Sequence, residues 1–136
     1  MVTVIVKQYD TGSRLPNPLD RVQGTVGGMI YVNGKPMRQV NPADVAHTFT
    51  IHSFPGADHA LPSINVPLPG VSESAPNTES IAGHRYPKPN VIVFRLMTGT
   101  PGKYRWDCNL PCGGGKDGSG RPMFTPGYMA GTLTVT

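Results

Sequence analysis

Charge is scarce in this sequence, and helical signals are scarcer. Asp, Glu, Lys and Arg make up 15% of the residues, against roughly a quarter in an ordinary soluble domain. The basic residues are scattered singly from Lys7 to Arg121. They form no run and no patch interleaved with aromatics, so nucleic acid is not an expected partner. No apolar stretch approaches the roughly 20 residues that span a bilayer, and no hydrophobic signal-peptide region follows Met1. No segment sustains helical periodicity between caps, which argues against a helical bundle. Asp44, Glu73, Glu79 and Asp107 form no pair that sequence spacing can bring together for acid–base work. There is no nucleophile elbow and no phosphate-binding loop, so an enzyme is not expected.

Turn formers and β-branched residues are abundant instead. The chain has 136 residues, with 17 Gly and 15 Pro. That length can bury a core without disulfide staples, and a single domain over residues 1–136 is expected. Val2–Lys7, Met29–Val32, Asn90–Met97, Lys103–Cys108 and Thr132–Val135 read as strands by composition and alternation. Asn33-Gly34 is a tight-turn pair, with Lys35–Val40 as the returning strand. Val45–Phe54 alternates, placing Val45, His47, Phe49 and Ile51 on an inward face and His52 on the other. The region 55–89 is read as an irregular excursion with one short helix near Asn77–Ala82. The expected class is all-β, and no internal repeat or linker divides the chain.

The chemistry concentrates in Gly102–Val135. An opening strand carries Tyr104, Trp106 and Cys108, and a closing strand ends the chain. Between them runs a Gly/Pro-rich loop bracketed by the sulfur atoms of Cys108, Cys112, Met123 and Met129. Thiolate and thioether are soft ligands that select copper above other common metals.

The run Pro101–Cys108 (PGKYRWDC) resembles the cupredoxin pattern P-G-x-Y-x-aromatic-x-C. Gly127–Val135 (GYMAGTLTV) resembles the family's ending, and Asp44–Ile51 (DVAHTFTI) resembles the strand that bears its first copper histidine. The three occur in the family's order. The resemblance implies a Greek-key β-sandwich, a mononuclear copper site and single-electron transfer to a redox partner protein. It implies an extracytoplasmic setting, whether periplasmic, secreted or membrane-tethered. His47, Cys108 and Met129 are then the expected ligands, with Cys112 or a distant histidine, His84 first, completing the set.

The chain departs from the family in one respect: all four histidines, His47, His52, His59 and His84, precede Cys108. Two readings of the cysteines therefore stay open. Cys108 and Cys112 can present thiolates to copper. They can also close a disulfide, since a three-residue spacer with Pro111 can turn sharply enough; the chain would then be a copper-free binding or structural module. A binuclear copper centre also uses two cysteines at this spacing, but it needs His and Met soon after the second. Gly113–Lys116 stands there, so a mononuclear site is expected.

Overall fold

The computed structural model describes residues 1–12, 19–53, 64–109 and 129–136. Among them the chain is all-β: β1 (Val2–Gln8), β2 (Ile30–Val32), β3 (Lys35–Met37), β4 (Val45–Ser53), β5 (Ile64–Pro69), β6 (Asn77–Ile81), β7 (His84–Pro87), β8 (Asn90–Leu96), β9 (Gly102–Asp107) and β10 (Ala130–Val135). One four-stranded sheet runs β1-β8-β2-β3 and another β10-β9-β4-β5, while β6 and β7 form a separate hairpin. All the strand pairings are antiparallel.

The two large sheets contribute to one core. Ile30, Ile92, Phe94 and Leu96 come from the first; Val45, Ile51, Val66 and Tyr104 come from the second. This is the layered arrangement expected of a β-sandwich, where each sheet buries one apolar face. Each such side chain contributes about 1.5–3 kcal/mol by leaving water. Tyr104 is fully buried, yet its hydroxyl donates to the Thr100 carbonyl at 2.6 Å, which satisfies the one polar atom it brings inside.

Most strands lie where their composition puts them. Asn33 and Gly34 both have positive φ, 50° and 82°, as a two-residue hairpin turn between β2 and β3 requires. The expected division of β4 into an inward and an outward face is not kept: Thr48 and Thr50 are buried as well as Val45 and Ile51, while His47 and Phe49 are only partly buried. Its register against β5 shifts between Val45 and His47.

Region 55–89 needs correction. Ile64–Pro69 is a strand, buried along nearly all its length, at the edge of the second sheet. Pro67 and Pro69 disguise it. They share the parity of Asn65, whose backbone N–H and C=O bond outward to Gln23. Their missing donors therefore face the free edge, where proline is tolerated. The helix expected near Asn77–Ala82 is instead strand β6. Ala82 (φ 50°) and Gly83 (φ 82°) turn it straight back into β7. No helix among the described residues is long and apolar enough to cross a membrane.

Candidate metal centre

β4 and β9 lie side by side, and their register carries Thr50 opposite Asp107. Cys108 follows directly, where the ladder ends and side-chain bonds take over. The Thr48 backbone N–H donates to Cys108 Sγ at 3.4 Å. The Asn109 N–H donates to Thr48 Oγ1 at 2.8 Å, and the Asn109 amide donates to Thr50 Oγ1 at 3.0 Å. The chain on either side of the sulfur is thus fixed to β4. On the other side the Cys108 N–H donates to the Met129 carbonyl at 3.0 Å, tying the residue before β10 to the same point. Cys108 is buried, only 5% exposed, with the Thr48 N–H aimed at its sulfur.

His47 projects from β4 toward this sulfur. Its Nδ1 lies 3.9 Å from Cys108 Sγ. Its Nε2 lies 2.6 Å from Asp10 Oδ2. Burial lowers the imidazole pKa, but hydrogen bonds and charge from Cys108 and then Asp10 outweigh it, so the net shift is upward from 6.5. An open cavity of about 470 Å³ lies before these groups, lined by Gln8, His47, Leu68, Trp106, Cys108 and Met129 among others. Trp106 is partly buried and stacks on Phe49, with centroids 5.8 Å apart and planes at 19°. That packing gives the cavity a rigid aromatic wall.

The donor set can be compared with metal geometry. Bonds of about 2.0–2.1 Å to imidazole nitrogen and about 2.3 Å to thiolate, as in zinc sites, put the two donors roughly 3.6–3.9 Å apart for angles of about 110–130°. The His47–Cys108 separation of 3.9 Å falls at the open end of that range. The spacing is compatible with a shared soft metal ion and equally with a direct sulfur–imidazole hydrogen bond. Among the described residues no three His, Cys, Asp or Glu side chains form a group able to hold a metal. A complete site therefore needs Met129 or a ligand from elsewhere in the chain.

The expected site residues separate accordingly. His47 and Cys108 come together, and Met129 lines the same cavity. Cys112, Met123 and His59 lie outside the described residues, and the Cys108–Cys112 disulfide with them. His84 is exposed on β7 and does not line the cavity. His52 points to the opposite face, with Nε2 3.1 Å from Asp107 Oδ2, a carboxylate oxygen that also accepts from Arg105 Nε at 2.9 Å. Asp10 and Asn109 belong to the site but carry no local sequence signal. Asp10 sits in a loop 37 positions before its partner, and only the fold brings it there. Thr48 could have been anticipated as the neighbour of His47 on an inward strand.

Comparison of the chain with models of protein families, with curated proteins and with solved structures finds no match.

Proposed function

We propose that this protein is a cupredoxin-like electron-transfer protein with a mononuclear copper site, built on a Greek-key sandwich. One observation carries the reading: His47 Nδ1 and Cys108 Sγ, 61 positions apart in the chain, approach to 3.9 Å at the edge of a cavity that Met129 also lines. His47 and Cys108 would be the principal ligands, Met129 a weaker one, and Cys112 a further candidate. Copper, when bound, would supply a one-electron Cu(I)/Cu(II) couple. The chain's own part is to hold the donors still. The bonds from Thr48 and Asn109 fix the sulfur, and the stacked Phe49 and Trp106 line the same cavity. Donors held in place by neighbouring strands need little rearrangement when the charge on a metal changes. A redox protein outside the cytoplasm is the partner that fits, and a formal charge of +4 favours one with an acidic face.

The second reading is a copper-free module in which Cys108 and Cys112 are joined. The absence of histidine from residues 109–128 favours it. Adding Cu(II) to the reduced protein separates the two. The copper reading expects an intense visible charge-transfer band, lost in Cys108→Ser and kept in Met129→Leu with an altered potential. A colourless reduced protein would leave the module reading in place.

A further inference from the structure

Among the described residues Asp10 is the carboxylate that meets His47, and it does so on the nitrogen away from the sulfur. It approaches the far side of the His47 ring, with Oδ2 2.6 Å from Nε2, while its own side chain is 71% exposed. Its backbone is held independently. The Asp10 N–H donates to Gln8 Oε1, the Gln8 amide donates to the Asp10 carbonyl, and the Val71 N–H donates to the same carbonyl at 2.9 Å. The carboxylate is therefore delivered to the imidazole by a braced loop.

A carboxylate only accepts, so Nε2 must carry the hydrogen. In the neutral ring the lone pair then resides on Nδ1, the nitrogen 3.9 Å from Cys108 Sγ. We infer that Asp10 is a positioning residue: it fixes His47 in the Nε2–H form and aims the Nδ1 lone pair at the space beside Cys108. The consequence for a metal rests on the copper reading above, but the tautomer does not. An imidazole whose remote N–H is held by a carboxylate is better oriented and more basic as a ligand, and losing such a partner typically costs about 10–100-fold in metal affinity.

The test uses the full chain, free of metal, labelled with 15N at histidine. Two-bond proton–nitrogen correlations identify which ring nitrogen bears hydrogen once His47 is neutral. The wild type is expected to show a single Nε2–H form, and Asp10→Ala a mixture. A mixed or Nδ1–H population in the wild type overturns the inference without recourse to any variant. So does an unchanged tautomer in Asp10→Ala, because a merely structural Asp10 would leave the ring hydrogens where they were. A second arm titrates Cu(II) against a competing chelator in both proteins. An affinity drop of about 10–100-fold in Asp10→Ala supports the role toward the metal, and equal affinities overturn it. If the wild type takes up no Cu(II), the copper reading fails while the nitrogen correlations still decide the role of Asp10.

Discussion

Gly131 lies opposite Trp106 in the β9–β10 ladder, and a single added methyl there meets the wall of the candidate site. An ideal Cβ at Gly131 would lie 2.4 Å from Trp106 Nε1, 2.7 Å from Cε2 and 2.9 Å from Cζ2. All three atoms belong to one rigid ring, which is backed by Phe49 and cannot yield by turning a terminal torsion. Overpacking of this kind costs about 1–3 kcal/mol. Stiffening the unfolded chain by Gly→Ala returns about 0.4–1 kcal/mol. At mid-range Gly131→Ala should therefore destabilise by about 1.3 kcal/mol, lowering Tm by roughly 4–7 °C for a domain of this size. Trp106 is the sole tryptophan, so its fluorescence reports both the unfolding and the displaced ring. In a Trp106→Leu background the atoms that the methyl would strike are gone, and the added cost of Gly131→Ala should vanish. An unchanged Tm and emission in Gly131→Ala, or the same cost in both backgrounds, would refute the packing argument.

Asn65 is 3% exposed, and its amide donates to the Leu19 and Arg21 carbonyls at 3.0 and 2.9 Å. Asn65→Ala strands those acceptors and should cost about 2–4 kcal/mol in urea unfolding; a change below about 0.5 kcal/mol, the scatter of an unimportant surface site, would contradict it. His47 has its folded pKa raised above 6.5. Its contribution to stability is thus full below 6.5 and fades as the pH rises through the folded value. For metal uptake the sign is opposite, because the proton competes for Nδ1: Cu(II) affinity should weaken as the pH falls through that value, and affinity independent of pH there would count against His47 as a ligand. Metal-free protein purified without reductant should show few reactive thiols and take up copper poorly until reduced; two titratable thiols before reduction would dismiss the Cys108–Cys112 disulfide.

The strands that can be read in the sequence are those with a single, local signal. Val2–Gln8 and Asn90–Leu96 are β-branched runs, and Asn33-Gly34 marks its own turn. β5 was hidden because Pro67 and Pro69 read as breakers until the sheet order makes it an edge strand. β6 and β7 were hidden because Ala82-Gly83 lacks the Asn or Asp that usually marks a two-residue turn. At the site, the resemblance carried by Asp44–Ile51 and Pro101–Cys108 pointed to His47 and Cys108, which the fold brings within 3.9 Å. The partners that hold them could not be found this way. Asp10 reaches His47 through the Val71 N–H bond to its carbonyl and the neighbouring Thr11–Val71 bridge, and Asn109 reaches Thr48 and Thr50 across a strand pair. Both are contacts of sequence separation above 30, which no local pattern encodes.

X-ray absorption at the copper edge, on reduced protein loaded with one equivalent of Cu(II), tests the central claim most directly. The account predicts a sulfur atom bonded to the metal together with imidazole scattering, and loss of the short sulfur contribution in Cys108→Ser. A copper environment of oxygen and nitrogen alone in the wild type would contradict it.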